Sequence, residues 1–180
     1  MIAGEAGGRR LSAPPGDGVR PTADRVREAL FTMLEAHLGD LDGFRVADLA
    51  CGSGALGIEA LSRGAATCAF VDSAARSLRA ARANLAAVGL DGRLVGFVRD
   101  DLVGWAARQE PASLDLALVD PPYEWDQWPD LLHALAGVTT AVAAESDREI
   151  APPIGWASLR TRRYGGTVVS VLTADGDPNR

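Results

Sequence analysis

The sequence predicts an α/β fold, in which a seven-stranded, mostly parallel sheet carries helices on both faces and ends in an antiparallel hairpin. Three observations support this prediction. Apolar runs of strand length alternate with segments of helical periodicity between residues 43 and 146. A glycine-rich loop follows the first of these runs. Near the C-terminus, two strand-like segments flank Gly165 and Gly166, as in a β-hairpin.

The first predicted helix covers residues 22–38. Within TADRVREALFTMLEAHL, the spacing of Val26, Leu30 and Leu34 places them on one helical face, and Gly39 ends the pattern. The preceding residues 1–21 are rich in glycine and proline and lack such periodicity. We expect them to form an irregular arm, with a short hairpin as one alternative, ahead of a single domain of residues 22–180.

Strands and helices alternate along the middle of the chain. The predicted strands are the short apolar runs FRVADLA (44–50), ATCAFVD (66–72), RLVGFVRD (93–100), LDLALVD (114–120) and TAVAAES (140–146). The helical segments between them cover residues 55–64, 74–89, 102–108 and 128–138. Such alternation is typical of a parallel sheet, since each helix returns the chain to the same edge. WASLRTRRY (156–164) and TVVSVLT (167–173) supply the hairpin that completes seven strands.

The composition is that of an ordinary globular domain. Of the 180 residues, 47% are hydrophobic and 23% are charged, and this balance favours one domain with a substantial core. No run approaches the roughly 18 uncharged apolar residues of a membrane span, and the N-terminus lacks a signal peptide's apolar core. We therefore expect a cytoplasmic monomer without membrane contact. Cys51 and Cys68 lack metal-ligand spacing, so no metal site is predicted.

Charge is distributed unevenly along the chain. All 18 basic residues are arginine, and the net charge of −6 argues against general nucleic-acid binding. Residues 1–27, however, carry five arginines against three acidic residues, and residues 148–165 carry four against one. Two basic ends therefore flank an acidic body. A solvated surface without a partner explains clusters of this size equally well.

The glycine-rich loop lies in the stretch DLACGSGALGIEA. Gly52, Gly54 and Gly57 match the G-x-G-x-x-G pattern that follows a strand and opens a helix in nucleotide-binding folds. Glycine permits a positive φ and close approach of a ligand to the backbone. Asp48 lies four residues before Gly52, and a carboxylate there suits a cationic ligand group better than a pyrophosphate. For the pattern alone, a tight turn without a ligand is the alternative.

Acidic residues also end the second and third predicted strands. Asp72 can accept hydrogen bonds from both hydroxyls of a ribose, and Asp100 or Asp101 can accept one from an adenine amino group. S-adenosylmethionine combines an ammonium, a sulfonium, a ribose and an adenine, so it matches these acids better than a phosphate-rich dinucleotide does. For any single acid, helix capping or solvation is the alternative.

The fourth predicted strand ends in DPPY, residues 120–123. Asp120 and the Pro121 carbonyl can accept the two N–H groups of an aromatic exocyclic amine, and they stabilise the positive charge that grows as the nitrogen attacks a methyl group. The rings of Pro121 and Pro122 fix φ and carry no competing N–H. Tyr123 can stack on the base and align it. A rigid turn that ends the strand is the alternative explanation of the motif.

These motifs together resemble a known family. DLACGSGALGIEALSRGA and LVDPPY resemble the class I S-adenosylmethionine-dependent methyltransferases that act on amino nitrogens. With IAGEAGGRRL and RPTADRVREALF near the N-terminus, the chain resembles the bacterial RsmD family, which methylates the N2 amine of a guanine in small-subunit ribosomal RNA. The likeness runs from Ile2 through the hairpin and includes AES at 144–146.

The resemblance implies a Rossmann-like class I methyltransferase fold, methylation of guanine 966 in 16S rRNA, and the small subunit or an assembly intermediate as partner. The residues implied to hold S-adenosylmethionine are Asp48, Cys51, Gly52, Gly54, Asp72, Asp100 and Asp101. Those implied to hold the guanine amine are Asp120, Pro121, Pro122 and Tyr123. The arm and the hairpin would meet RNA, with Arg9, Arg10, Arg20 and Arg162 as phosphate contacts. Cys51 departs from the family pattern, which more often has a small apolar residue there.

Other functions remain compatible with parts of the sequence. An amino-methyltransferase could act on adenine N6 in DNA or on a protein glutamine, since DPPY is shared by many methyltransferases. An NAD-dependent oxidoreductase could use the same glycine loop, but it leaves DPPY without a role. A ribosome-assembly factor that binds RNA without catalysis would be expected to have a damaged loop or to lack Asp120, and this chain has neither defect.

The remaining candidates are aromatic and histidine residues. Trp125 and Trp128 follow DPPY, and either the base pocket or a cap on the sheet would suit them. His37 and His133 fall on predicted helices, and we expect structural or surface positions for both.

Overall fold

The computed structural model describes residues 1–9, 11 and 21–174. The helices are α1 (Pro21–Leu38), α2 (Ala55–Ser62), α3 (Ala75–Ala87), α4 (Leu102–Ala106) and α5 (Trp128–Leu135). The strands are β1 (Arg45–Leu49), β2 (Thr67–Asp72), β3 (Leu94–Arg99), β4 (Leu116–Val119), β5 (Ala141–Ser146), β6 (Trp156–Tyr164) and β7 (Thr167–Ala174). Each predicted element is present, and the helix and strand bounds are at most a few residues shorter than predicted or extended by one residue.

The seven strands form one sheet in the order β3-β2-β1-β4-β5-β7-β6. The strands β1 to β5 pair in parallel, and β7 runs antiparallel to both β5 and β6. The predicted fold class is therefore confirmed, including the antiparallel final strand. The strand order reverses between the neighbours β1 and β4, and this switch point is where open α/β sheets bind ligands. None of the described helices is both long and apolar enough to cross a membrane.

The centre of the sheet is buried on both faces. In β4, Leu116 and Leu118 pack into the apolar layer formed with α1, α2 and α3, while Ala117 and Val119 pack into the layer formed with α4 and α5. All four side chains are fully buried. A central parallel strand has no solvent face, which explains its uninterrupted apolar run.

The N-terminal segment 1–9 packs against the C-terminal half of α2. The backbone amides of Ile2 and Ala3 donate to the two carboxylate oxygens of Glu59, at 2.9 and 3.0 Å. Ser62 Oγ accepts from the Ala6 amide at 2.9 Å, and Ala6 is fully buried. The segment is irregular, as predicted, and its turns show no hairpin within residues 1–9. Through Ala6 the segment contributes to the core of the domain. The predicted boundary after residue 21 stays a prediction.

Glu59 joins three parts of the fold through one carboxylate. Its side chain is completely buried, and it also accepts from Arg63 Nε at 2.9 Å and lies 4.0 Å from Arg27 Nε of α1. A buried carboxylate is tolerated only when its oxygens are paired and hydrogen-bonded. Here the N-terminal amides and the arginines provide those partners, so the segment and the two helices stabilise one another.

Replacing Glu59 should therefore destabilise the fold and release the N-terminal segment. In Glu59→Gln, the new NH₂ group replaces an acceptor and faces another donor, either a backbone N–H or an arginine. Because the hydrogen bond there is lost, we expect the free energy of unfolding to fall by about 2–4 kcal/mol. Urea denaturation measures this loss, and hydrogen exchange should show faster exchange at the Ile2 and Ala3 amides. Glu35→Gln is the matched control, because it breaks a half-exposed ion pair with the same Arg63 and should cost about 1 kcal/mol or less. Equal losses in the two variants would contradict the role of Glu59.

Candidate active site

A cavity of about 1140 Å³ opens at the carboxyl edge of the sheet, above the switch point between β1 and β4. Its wall is formed by the residues that follow β1, β2, β3 and β4, by the end of β5, by α1 and by the start of β7. Sites for one small ligand occupy about 300–1,000 Å³. The cavity slightly exceeds the upper end of this range.

The three glycines of the predicted loop have different tasks. Gly52 lines the cavity with a φ of 51°, and a Cβ added there would meet no atom nearer than 4.0 Å, so a ligand can approach its backbone. A Cβ on Gly54 would lie 2.9 Å from the Ala81 Cβ of α3. A Cβ on Gly57 would lie 2.5 Å from the Phe70 ring. Gly54 and Gly57 thus permit helix packing, and of the three only Gly52 faces the cavity.

The same loop is held in a strained conformation. Ala50 lines the cavity with a φ of 61°, a left-handed conformation that costs a residue with a Cβ roughly 1–2 kcal/mol. The Cys51 amide donates to the Val71 carbonyl at 3.1 Å, and the Asn84 side chain donates to the Ser53 carbonyl at 2.9 Å. Cys51 is buried in the apolar core, and burial raises the pKa of its thiol, so it packs as a small apolar side chain; its implied contact with a cofactor stays a prediction.

Asp48 lies beneath the glycine loop. Its carboxylate is buried and accepts a hydrogen bond from the Gly57 amide at 2.8 Å. The pKa of Asp48 is raised to about 7, mainly by burial and to a smaller extent by the nearby Asp72, and the hydrogen bond from Gly57 partly offsets this rise. The structure thus gives Asp48 a role in holding the loop against α2, and its predicted contact with a cationic ligand stays a prediction.

Asp72 faces the cavity from the end of β2. One oxygen accepts from the Gly52 amide at 3.0 Å, and the other accepts from the Ala74 amide at 2.8 Å. An ionised carboxylate offers about four acceptor positions. Asp72 therefore ties the glycine loop to the start of α3 and keeps the capacity to accept bonds from a ligand.

Asp100 and Asp101 both line the cavity after β3, but their bonds differ. Asp100 pairs with Arg108 through one oxygen and accepts from the Asp101 amide through the other. Asp101 caps α4, since its Oδ1 accepts from the Gly104 amide at 2.7 Å. Both Asp100 oxygens are thus engaged, whereas Asp101 Oδ2 makes no hydrogen bond to the described residues.

Asp120 lines the cavity directly after β4, and its side chain is exposed to the cavity. Desolvation raises the pKa of Asp120 well above its ordinary value, and the carboxylates of Glu145 and Asp48 raise it further. Pro121 and Pro122 follow it along the cavity wall. A ligand that donates hydrogen bonds to this carboxylate would stabilise its ionised form.

The loop that carries DPPY is fixed from two directions. The Tyr123 hydroxyl forms a 2.7 Å hydrogen bond with Thr167 Oγ1 at the start of β7. Arg148, beyond the end of β5, donates to the Tyr123 and Trp125 carbonyls at 3.3 and 3.1 Å. The Trp125 amide in turn donates to the Pro122 carbonyl at 2.9 Å. The Tyr123 ring is therefore held in the cavity wall rather than swinging free.

The structure separates the two tryptophans that follow the motif. Trp125 lines the cavity, while Trp128 is buried in the layer beneath α5 and packs edge-on against Trp125 at 5.1 Å. His37 bonds the Met33 carbonyl within α1, and His133 is exposed on α5, so neither lies in the cavity. Among the described residues, no group of three or more histidine, cysteine or acidic side chains is arranged to bind a metal.

The predicted RNA contacts lie in different places. Arg162 is exposed near the end of β6, the strand that pairs with β7, and the start of β7 lines the cavity. Arg9 donates to the Val88 carbonyl, where α3 returns to the opposite, amino edge of the sheet. Arg10 and Arg20 fall outside the described residues. Of the two described arginines of this set, Arg162 lies on the hairpin and Arg9 at the opposite edge of the sheet, and all four roles stay predictions.

No role was predicted from the sequence for Glu145 or for Arg148, although both contribute to the site. Glu145 lines the cavity at the end of β5, and the rule that singled out acids at the ends of the earlier strands would also have singled out this one. Arg148 anchors the loop after β4, but a lone exposed arginine beyond a strand carries no comparable signal.

Comparisons with known proteins agree with this geometry. The family model described as conserved hypothetical protein 95 matches residues 1–173. "Putative rRNA methyltransferase YlbH" of Bacillus subtilis is 33% identical over 185 residues, which cover 98% of this chain and 99% of that protein. "Ribosomal RNA small subunit methyltransferase D" of Haemophilus influenzae is 27% identical and covers 92% of this chain and 88% of its own length.

A solved structure extends the likeness to three dimensions. "Putative methyltransferase yhhF from Escherichia coli" superimposes with a TM-score of 0.81 at 28% identity. The match covers 97% of this chain and 96% of that one. The shared architecture therefore includes the C-terminal hairpin as well as the parallel part of the sheet.

Asp48 should give stability a pH dependence. Its carboxyl ionises near pH 4 in the unfolded chain and near pH 7 in the folded one. Between these values the unfolded state binds fewer protons, so stability falls as the pH rises, and above them this contribution is constant. Asp48→Asn keeps an acceptor for the Gly57 amide and removes this fall. The unfolding free energy of the variant minus that of the wild type should therefore increase by about 2–3 kcal/mol from about pH 5 to about pH 8.

Urea denaturation at the two pH values measures that gain. Asp115→Asn is the control, because a hydrogen bond from Arg45 lowers the pKa of Asp115 and keeps it ionised across this range. The control should show no comparable gain. A constant difference between Asp48→Asn and the wild type at both pH values would contradict the raised pKa of Asp48.

Proposed function

The chain belongs to the family described as conserved hypothetical protein 95, the RsmD family, and from this membership and the cavity we propose that it transfers a methyl group from S-adenosylmethionine to an amino nitrogen of ribosomal RNA. The acceptor proposed is the exocyclic N2 amine of a guanine in the small-subunit RNA. The relatives named as rRNA methyltransferases support rRNA as the substrate class. The DPPY motif, whose oxygens can accept hydrogen bonds from an amine, supports an amino nitrogen as the methyl acceptor.

One observation carries the proposal. A single cavity contains both the Gly52–Asp72 side, which suits a nucleoside cofactor, and Asp120 to Tyr123, which suit a planar amine. The two sets lie on opposite sides of the switch point between β1 and β4. A donor and an acceptor bound to them would meet above the centre of the sheet, and such positioning alone removes much of the entropic barrier to transfer.

The residues of the first side fit S-adenosylmethionine. The open space over Gly52 admits the methionine portion against the backbone. Asp72, with acceptor capacity left after its two backbone bonds, would hold the ribose hydroxyls. Of the two neighbouring acids, Asp101 would accept the adenine amine, because its Oδ2 makes no hydrogen bond within the described part of the chain, whereas the charge of Asp100 is already paired with the guanidinium of Arg108.

The residues of the second side act on the acceptor amine. When bound, S-adenosylmethionine supplies an electrophilic methyl carbon, whose bond to the positive sulfur breaks as the nitrogen bonds to it. Asp120 and the Pro121 carbonyl accept hydrogen bonds from the two N–H groups of the amine, and they stabilise the positive charge that grows on the nitrogen. Tyr123, fixed through Thr167, stacks on the base and keeps the lone pair directed at the methyl carbon.

The RNA would approach over the hairpin. Arg162 and Arg163 are exposed near the end of β6, which pairs with β7, the strand whose start lines the cavity, and from there they can neutralise phosphates. The target base must leave its stack to reach Asp120, and unpaired bases in RNA loops do so most easily. With an rRNA substrate, the location we propose is the cytoplasm, and the partners we propose are small subunits or their assembly intermediates. Position 966 rests on the family resemblance alone.

The carboxylate of Asp120 should be required for transfer but not for cofactor binding. Asp120→Ala should reduce kcat by about 100-fold or more, as the loss of one preorganised charge-stabilising group does, while the Kd for S-adenosylmethionine changes little. Tritium transfer to small subunits and calorimetric titration of the cofactor measure the two effects. Asp126→Ala, an exposed acid of the same loop outside the cavity, should retain full activity. Unchanged turnover in Asp120→Ala would remove its role.

The wild-type activity should fall as the pH is lowered through the raised pKa of Asp120. The ionised carboxylate is the better acceptor, and protonation therefore weakens its hold on the amine. Asp120→Asn cannot titrate at this position, so its lower activity should lack this acid limb in kcat/KM. A limb that is identical in the two proteins would assign the titration to another group.

The hairpin arginines should contribute to RNA affinity by neutralising phosphates. Replacing Arg162 and Arg163 by alanine should weaken rRNA binding and lower the slope of log K against log salt by about 1 for each phosphate that is no longer neutralised. Filter binding across a salt series measures the slope. Arg79→Ala, an exposed arginine on α3 outside the cavity lining, is the control. Cofactor affinity should stay unchanged in all variants, and an unchanged salt slope in the double variant would contradict the role of the hairpin in RNA binding.

A further inference from the structure

Glu145 and Asp120 occupy equivalent places on neighbouring strands. The parallel register pairs Leu118 with Ala143 and Val119 with Ala144, so the next step aligns Asp120 with Glu145. Neighbouring strands lie about 4.8 Å apart. Both side chains line the cavity. The alignment therefore brings two carboxylates to the point where the acceptor amine is proposed to bind.

The two carboxylates also lie on the same face of the sheet. Side chains alternate along a strand, so Asp120 follows the direction of Leu118, and Glu145 follows that of Ala143. Leu118 and Ala143 belong to the same apolar layer. Glu145 is among the groups that raise the pKa of Asp120, as expected for like charges held close together. A ligand that donates adjacent hydrogen bonds to both would offset this repulsion.

The Watson–Crick edge of guanine is such a ligand. Its N1–H and its N2 amine are neighbouring donors, whereas adenine presents an unprotonated N1 beside its amine. We propose that Glu145 accepts the N1–H of the target guanine while Asp120 accepts an N–H of its N2 amine, so that Glu145 selects guanine against other amino purines. This inference rests on the proposed function, whose acceptor it specifies.

The selection follows from the mismatch that other bases create. A purine with an unprotonated N1 directs a lone pair at Glu145, and these two acceptors repel each other in a partly desolvated cavity instead of sharing a proton. A well-placed hydrogen-bonding side chain discriminates between bases by about 1–3 kcal/mol, so the ratio of kcat/KM should be of the order of 10–100. Glu145 therefore determines which base is bound. Asp120 and the Pro121 carbonyl accept hydrogen bonds from the amine in the same way for each base.

The test uses 2-aminopurine, which keeps the amine at position 2 but has an unprotonated N1. Small subunits are reconstituted with rRNA that carries either guanosine or 2-aminopurine at the mapped target, and kcat/KM for tritium transfer is measured on both. The wild type should prefer guanosine about 10- to 100-fold. Glu145→Gln should reduce transfer to guanosine and bring the ratio close to 1, because its amide can also donate to an unprotonated N1.

The controls separate selection from stability. Glu124→Gln removes another negative charge from the cavity lining and should keep the wild-type ratio. Thermal denaturation and cofactor affinity should match the wild type in both variants. A wild-type ratio near 1 would overturn the inference, and this measurement needs no variant to fold. Equal losses on both substrates in Glu145→Gln, with the ratio kept, would also overturn it.

The outcomes for the inference and for the proposed function are distinct. If natural small subunits yield no N2-methylguanosine with the wild type, the proposed function fails. If that product forms but the discrimination does not depend on Glu145, only the inference fails.

Discussion

The parallel pairing of β1, β2, β4 and β5 is the constraint on which the site depends. Because parallel strands all end at one edge, the residue that closes each strand faces the same space. Asp72, Asp120 and Glu145 are brought together in this way, although 73 positions separate the first from the last. The apolar interior of the strands sets the register, since a shift of one residue would turn each buried side chain to the wrong face.

That gathering of carboxylates has an electrostatic consequence. Acids in one partly desolvated space disfavour each other's ionisation, and Asp120 and Asp48 both have raised pKa values. An interior of this kind attracts cations and hydrogen-bond donors and repels phosphates. The basic hairpin strand β6 lies outside it, at the edge of the sheet beyond β7. An RNA would therefore be held by its backbone outside the cavity, while only a base with donors on its edge is favoured within.

Much of the fold and part of the site could be predicted from the sequence, for physical reasons. The apolar runs fix the strands because a central parallel strand has no solvent face, and β4 shows this most clearly. The glycine pattern located the loop but not the division of labour within it, since the packing of Gly54 against Ala81 depends on a helix that lies 20 residues or more further along the chain. Local sequence carries no trace of such contacts.

The site residues illustrate the same limit. Asp100 and Asp101 are adjacent in the sequence, and only the partners Arg108 and Gly104 distinguish them. Arg148 gains its importance from two carbonyls more than 20 residues away. Arg9 was grouped with the hairpin by its charge, yet it lies at the opposite edge of the sheet. Strand ends were predictable because topology alone decides them, whereas pairwise partners were not.

The docking of the first residues on Glu59 and Ser62 has a consequence for biosynthesis. The amides of Ile2 and Ala3 have no acceptors until the chain has been extended by nearly 60 further residues. During translation these two amides therefore remain without their acceptors until α2 has been synthesised.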